Sequence, residues 1–372
     1  MKPDRRYFLK MNIAAMGMVS WGCSTNHDSQ DSLLPFRTTL NLAGAEFGTN
    51  IQDFSQYNLG DLHRDYTFNS RATVRYFCER GVTAFRIPIS WERLQPELRG
   101  PLQADYCGNL QLLLSWIAEA KGTAILDLHN YGRYRVYRSG RPIEAVLGET
   151  TDGALLLSED DLADVWRKLA ERLSDNPTVI AYGLMNEPHH IAAHVWKRAS
   201  NRAVAAIREL DPDRWITVCG NEWATAQNFE EVNGPEPWIR DPSNKTIYEA
   251  HAYFDADRSG KYELTFDQEA ARDPQLSQRP QQVLTPFLSW CRRNGVHGYV
   301  GEVGVPKSES RWHELLASGC RLIRDANCAI GYWAAGEWWG DYPLSVQPES
   351  LDDPLPIQMA VVCDNMRPST AN

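Results

Sequence analysis

Eight short apolar runs, rich in Val, Ile, Leu and aromatic residues, recur along this chain, and longer stretches separate them, most with apolar residues at helical spacing. The runs are residues 39–44, 83–87, 124–129, 179–186, 215–220, 246–251, 298–301 and 330–334. The helix-like stretches are residues 70–80, 109–121, 159–173, 191–210, 280–293, 311–324 and 357–365. Strands that alternate with helices in this way pair in parallel, because each crossover helix returns the chain to the same end of the sheet. Eight such units close a ring, whereas an open doubly wound sheet would carry a Gly-rich dinucleotide loop after its first strand, which this chain lacks. The expected fold is therefore α/β, a (β/α)8 TIM barrel forming a single catalytic domain. Two Gly/Pro/Asn-rich connections, 131–153 and 254–281, are long for this fold, and long loops at strand ends usually shape a binding cleft.

Residues 1–22 read as a targeting segment. Arg5-Arg6-Tyr-Phe8-Leu9-Lys10 precedes an uncharged run from Met11 to Trp21, which is similar to a twin-arginine export signal. Ser20-Trp21-Gly22-Cys23 resembles a lipoprotein processing site, so Cys23 is a candidate lipid anchor and 23–35 a polar tether. The barrel is expected over 36–372, and the protein is expected to be an exported monomer, periplasmic, cell-surface or secreted. The net charge is −10, and four basic residues leave with the signal against one acidic residue, so the mature chain is more acidic still. Such a surface repels phosphate backbones, and nucleic acid is not an expected partner. Thirteen Trp, 15 Tyr and 11 Phe suit neutral polar ligands with flat faces. The seven Cys beyond Cys23 form no CxxC pair, which argues against a zinc or redox motif; an exported chain admits disulfides, but the spacing defines no pairing.

In a barrel of this kind, function sits at the C-terminal ends of the strands. Those ends carry Arg86, His129, Asn186-Glu187, His251 with Tyr253, Glu302 and Trp333. Glu187 closes the fourth run and Glu302 the seventh, nearly opposite across the ring, so their carboxylates can flank one substrate bond. One protonated and one ionised carboxyl group are the minimum equipment for glycoside hydrolysis, with Glu187 as general acid/base and Glu302 as nucleophile. Arg86 and Tyr253 would hold Glu302 ionised, and Asn186 would bond a sugar 2-hydroxyl. His129 and His251 would bond sugar hydroxyls or orient the carboxylates, and Trp333 offers a face for a pyranose ring, with Trp338 and Trp339 as candidate helpers. Tyr131 and Trp223 are further substrate-binding candidates. Asp127, Glu222, Glu249 and Glu337 also lie near strand ends; Asp127 and Glu249 sit one step deeper, as bracing groups would. His189, His190 and His194 lack an acidic third ligand, so no metal and no cofactor are expected.

The ordered set Arg86, His129, Asn186, Glu187, His251, Tyr253, Glu302, Trp333 resembles glycoside hydrolase family 5, from about Asn41 to Gly336. The resemblance implies a (β/α)8 barrel, retention of anomeric configuration, an acid/base Glu after Asn on strand four and a nucleophile Glu on strand seven. His129-Asn-Tyr-Gly-Arg133, Asn186-Glu-Pro-His-His190, Gly220-Asn-Glu-Trp223 and His251-Ala-Tyr-Phe-Asp-Ala-Asp257 are similar to its secreted endo-β-1,4-glucanase (cellulase) subgroup. Two positions depart from that subgroup: Glu222 stands where Asp is usual, and Gly304-Val305 follows the nucleophile where more glycine is common. The implied partner is a β-glucan polysaccharide or oligosaccharide. Mannan, xyloglucan and a bacterial exopolysaccharide remain open as substrates, as does a non-catalytic carbohydrate-binding role.

Overall fold

The computed structural model describes residues 34–367; the expected export signal, Cys23 and the tether as far as residue 33 lie outside them, whereas Leu34, expected in the polar tether, is buried because its apolar side chain packs against the end of the barrel. The strands are β1 (Thr38–Leu42), β2 (Ala84–Ile89), β3 (Thr123–Leu128), β4 (Arg133–Arg138), β5 (Arg141–Val146), β6 (Thr150–Thr151), β7 (Ala154–Leu155), β8 (Val179–Gly183), β9 (Trp215–Cys219), β10 (Thr246–His251), β11 (His297–Val303) and β12 (Ala329–Ala335). The helices are α1 (Arg71–Glu79), α2 (Trp91–Leu94), α3 (Ala104–Glu119), α4 (Glu159–Leu173), α5 (Ala193–Arg208), α6 (Phe229–Asn233), α7 (Phe266–Arg272), α8 (Arg279–Asn294), α9 (Ser310–Asp325) and α10 (Ile357–Met366). Eight strands close a parallel barrel in the order β1-β12-β11-β10-β9-β8-β3-β2. The expected fold is the observed one.

Barrel strands are buried on both faces, which is why the runs read as continuously apolar instead of alternating. Helix α4 shows how the outer layer attaches. Leu162, Val165, Trp166, Leu169 and Leu173 recur every three or four residues and form its buried stripe. A capping box between Ser158 and Asp161 fixes its start, with Glu159, Asp160 and Asp161 complementing the positive end of the helix dipole. The indole Nε1 of Trp166 donates to the Leu184 carbonyl at 2.9 Å, tying this helix to the chain just ahead of Glu187. Replacing Trp166 with Ala would remove that tie and cost about 3–5 kcal/mol of stability.

The barrel interior grades from apolar to polar. At its N-terminal end, Leu34, Phe36, Ala84, Ile125, Ala181, Ile247, Tyr299 and Ala329 form a separate apolar cluster, with Phe36 edge-on to Tyr299 at 5.1 Å. One layer higher, the Tyr299 and Thr39 hydroxyls share a hydrogen bond of 2.6 Å. Above them, charged side chains begin.

Several elements differ from expectation. The 131–153 connection is not irregular: β4 and β5 pair as an antiparallel hairpin, followed by the short pair β6–β7. The fourth barrel strand ends at Gly183, and residues 184–186 continue as irregular backbone that still bonds to its neighbours, Leu184 N–H donating to the Thr217 carbonyl at 3.1 Å and Asn186 N–H to the Leu128 carbonyl at 2.8 Å. After β9 there is only the five-residue α6. Helix α3 starts at Ala104 because the Gln103 side chain caps it, accepting from the Tyr106 N–H. All seven cysteines among the described residues are unbridged, and no helix there is long and apolar enough to cross a membrane.

Candidate active site

Arg86 organises the site. It projects from β2 into the barrel, fully buried, and its guanidinium meets three carboxylates: Asp127 at 3.0 Å, Glu249 at 3.1 Å and Glu302 at 3.0 Å. Of these, Glu302 accepts a well-aligned hydrogen bond, while the other two are ion-pair contacts with poorer angles. Arg86 also donates to Asn41 Oδ1 at 2.9 Å and Asn186 Oδ1 at 2.7 Å. A buried cation of this kind is tolerated only because its partners are close and numerous.

Glu302 lies within β11 and is 4% exposed. Its Oε1 accepts from Arg86 and its Oε2 accepts from the Tyr253 hydroxyl at 2.8 Å. Burial alone would raise its pKa, but the charges of His251, Arg86 and His129 and the Tyr253 bond outweigh burial and hold the carboxyl below its usual range. The residue before it must be glycine, because a Cβ on Gly301 would sit 2.0 Å from Glu249 Oε1. Sequence and electrostatics meet at that point: Gly301 admits the Glu249 carboxylate, which in turn faces Arg86.

Glu187 is arranged differently. It follows β8 in the irregular segment with φ +39°, a left-handed conformation costing about 1–2 kcal/mol in a non-glycine residue. Its Oε1 faces His251 Nδ1 at 2.7 Å, and its side chain is 16% exposed. Burial and the nearby negative charge of Glu302 raise its pKa, against the lowering effect of His251 and His129. An oxygen of Glu187 lies within 4.8 Å of one of Glu302. So close an approach fits the carboxyl pair of retaining glycosidases, whose groups are about 5–5.5 Å apart.

The two histidines are held by carboxylates one step deeper on their own strands. His129 Nδ1 is 2.7 Å from Asp127 Oδ2, and Asn186 Nδ2 donates to its Nε2 at 3.3 Å. His251 Nε2 is 3.3 Å from Glu249 Oε1, whose partner oxygen accepts from Thr217 at 2.7 Å. Burial disfavours the protonated form of each ring, yet the surrounding carboxylates raise both pKa values, that of His251 strongly.

Aromatic residues line the approaches. Trp333 stacks on His129 with centroids 5.4 Å apart and planes 14° from parallel, and Trp339 meets Trp333 edge-on at 5.9 Å. Tyr131 lies 5.4 Å from the His129 ring and 6.0 Å from that of Trp223. Glu222, Trp223 and Ala224 are three successive residues at φ +51°, +62° and +51°, a strained turn that stacks Trp223 on His189 at 3.5 Å. Strain of this kind concentrates at functional sites.

The structure thus brings Arg86, His129, Asn186, Glu187, His251, Tyr253 and Glu302 into one contact network. Trp333 and Tyr131 join it through His129, and Trp223 joins through Tyr131. Asp127 and Glu249 brace the network. Glu222 accepts from the His190 N–H, and Glu337 accepts from Ser70 N and Thr73 Oγ1 at the start of α1, so both serve loops and caps. Trp338 is 39% exposed, and His194 is exposed on α5, away from the His189–His190 pair. Among the described residues, two groups have donor atoms spaced for a metal, Glu187/His251/Glu302 and Cys219/Glu249/His251. Both depend on His251, whose two ring nitrogens already face Glu187 and Glu249.

Sequence reading missed three members. Asn41, inside β1 one residue before its end, accepts from Arg86, and a polar residue within an otherwise apolar run was the available signal. Glu46, in the loop after β1, is buried within reach of the charges of His129 and Asp127, and burial raises its pKa to about 6 against the lowering effect of His129. His189 backs Trp223, and burial and the Arg133 charge lower its pKa to about 4.

Residues 40–337 match the cellulase family, glycosyl hydrolase family 5. Endo-beta-1,4-glucanase A of Emericella nidulans is 30% identical over 314 residues, covering 83% of this chain and 86% of that protein. The crystal structure of Pseudomonas stutzeri endoglucanase Cel5A in complex with cellobiose is 32% identical with a TM-score of 0.75, covering 89% of this chain and 92% of that one. XacCel5A in complex with cellopentaose is 30% identical with a TM-score of 0.74, covering 88% and 98%.

Proposed function

This chain belongs to glycosyl hydrolase family 5, and from that premise we propose that it cuts internal β-1,4-glucosidic bonds of cellulose-like glucans by double displacement. The observation that carries the reading is the pair of carboxylates within 4.8 Å whose pKa values are pushed in opposite directions, Glu302 down and Glu187 up. In the first step, the ionised Glu302 attacks the anomeric carbon while protonated Glu187 gives its proton to the departing glycosidic oxygen. A covalent glycosyl-enzyme forms on Glu302. Glu187, now ionised, takes a proton from water as that water attacks the same carbon, and the β configuration is restored.

The neighbours divide the work. Arg86 and Tyr253 keep Glu302 ionised and fixed, and both bonds weaken as its charge passes to the glycosyl ester. Asn186 has its carbonyl engaged by Arg86, which leaves its amide hydrogens toward His129 and the substrate, where a 2-hydroxyl bond would strengthen in the oxocarbenium-like transition state. Trp333 supports a sugar ring on one side of the scissile bond, and Tyr131 and Trp223 form the wall on the other. Relatives have been captured with cellobiose and cellopentaose, which supports cello-oligosaccharides as ligands here.

The chain is also proposed to work outside the cytoplasm as a monomer, on the strength of Arg5-Arg6-Tyr-Phe8-Leu9-Lys10, with Cys23 as a lipid attachment site. Recovery of Cys23→Ser in the soluble fraction, with the parent in the membrane fraction, is the expected result; an unchanged distribution overturns the anchor. The catalytic test is reducing-end release from carboxymethylcellulose, mixed-linkage β-glucan, xyloglucan and glucomannan, with Glu302→Gln as control. Activity on the first two that vanishes in the variant is expected. Activity confined to xyloglucan or glucomannan would reassign the substrate.

A further inference from the structure

One surface outside the catalytic network is out of keeping with the rest of the molecule. The chain carries a net charge of −10, yet residues 133–146 hold four arginines against one glutamate. This is the β4–β5 hairpin. Its inner row, Tyr134, Ile143 and Ala145, is buried, the Tyr134 hydroxyl donates to the Gln95 and Pro96 carbonyls, both at 2.7 Å, and the Arg135 N–H donates to Glu92 Oε1 at 2.8 Å. The hairpin is therefore fixed to the barrel.

Its outer row is Arg133, Arg135 and Tyr137, since alternate residues share a face. That row starts at the cleft, where Arg133 Nη1 donates to the carbonyls of Tyr131 at 2.7 Å and His189 at 3.0 Å. It ends at an exposed aromatic pair, Tyr137 and Tyr57, which are 39% and 75% exposed and meet edge-on at 5.7 Å. At the tip of the hairpin Arg138 stands directly opposite Arg141 across the two-residue Ser139-Gly140 turn, both on the face of the inner row, where the tip has left the barrel and they are exposed. Both arginines are exposed, and neither has an ion pair among the described residues, while Glu144 is taken by Arg133 and Arg135. Like charges directly opposite on a hairpin destabilise it, so this pair is maintained at a cost to the fold.

We propose that this hairpin and Tyr57 bind the outlying part of a glucan chain that carries carboxylate groups, a uronic-acid-containing polysaccharide, and feed it toward the cleft. The C–H faces of sugar rings would lie on Tyr57 and Tyr137 on one face of the hairpin, and where the polymer passes over the exposed tip its carboxylates would take the guanidinium forks of Arg138 and Arg141 on the other. The local positive charge is what makes an anionic polymer acceptable to an otherwise acidic protein. The inference rests on the glucanase reading and narrows its substrate class.

The test compares two polymers with one backbone, carboxymethylcellulose and uncharged hydroxyethylcellulose, by affinity electrophoresis of the full chain at low and high salt. Stronger retardation by the charged polymer is expected, with the excess reduced by salt. In Arg138→Gln/Arg141→Gln that excess should shrink by about threefold to tenfold, and in Tyr137→Ala retardation by both polymers should fall. In the double variant, KM on carboxymethylcellulose should rise by a similar factor, with kcat and turnover of cellopentaose unchanged. Equal retardation by the two polymers, or an excess that survives in the double variant, overturns the inference. An enzyme that cuts both polymers without a salt-sensitive preference loses this surface and keeps its function; one that is retarded by the charged polymer but cuts neither keeps the surface and loses the glucanase reading.

Discussion

Glu302 and Glu187 approach the same point from unlike surroundings. Glu302 is part of a barrel strand, with donors on both oxygens and 4% exposure. Glu187 sits beyond a strand end, in a left-handed conformation, with one side-chain partner and a more open carboxyl group. The contrast fits the two proposed tasks. A nucleophile must be ionised and immobile before substrate arrives, whereas an acid/base must release a proton to one oxygen and take one from another.

The sharpest way to break this comparison is to remove each carboxylate in turn. Glu302→Gln should lose activity on the order of 10⁴-fold on every substrate, whatever the leaving group, because no other group can form the glycosyl ester. Glu187→Gln should lose about 10²–10⁴-fold on glucans, but the loss should largely disappear in the burst release of an acidic nitrophenol from an aryl cellobioside, which needs no proton. If the two variants exchange these patterns, the assigned roles are reversed.

A smaller perturbation tests what keeps Glu302 ionised. Arg86→Met leaves Asp127, Glu249 and Glu302 buried without their cation, and chemical denaturation should report a loss of about 3–5 kcal/mol. The sign of the pH effect follows from the same contacts. Arg86 lowers the Glu302 pKa, so without it the acid limb of kcat/KM should move to higher pH. Tyr253→Phe should be milder still, roughly 10- to 100-fold in kcat for one charge-assisted hydrogen bond, with the acid limb moving the same way. In the unaltered enzyme the acid limb should lie below the ordinary carboxylate range, set by Glu302, and the alkaline limb above it, set by Glu187. A Tyr253→Phe profile displaced to lower pH would contradict the account of Glu302.

The barrel was legible because strands buried on both faces must be apolar throughout, and all eight runs overlap observed strands. The hairpin was not, since charged side chains obscured the strict alternation of Arg133-Tyr-Arg-Val-Tyr-Arg138 around Ser139-Gly140. The end of β8 at Gly183 was also hidden: Leu184 and Met185 are as apolar as a strand, and the left-handed conformation at Glu187 leaves no mark in the residue pattern. Strand-end positions carry most of the proposed site residues, and the structure gathers all ten candidates into one set of contacts. Asn41 lay inside its run, not at its end, and was overlooked. Glu46 and His189 act through spatial neighbours on other loops, and a linear pattern carries no sign of those contacts.

The most direct test of the central claim is to trap the glycosyl-enzyme with a 2-fluoro-substituted cellobiosyl fluoride and locate the adduct by peptide mass spectrometry. One glycosyl unit on the peptide containing Glu302, absent from Glu302→Gln, is the predicted result. An adduct on Glu187, or inactivation without any covalent adduct, would contradict it.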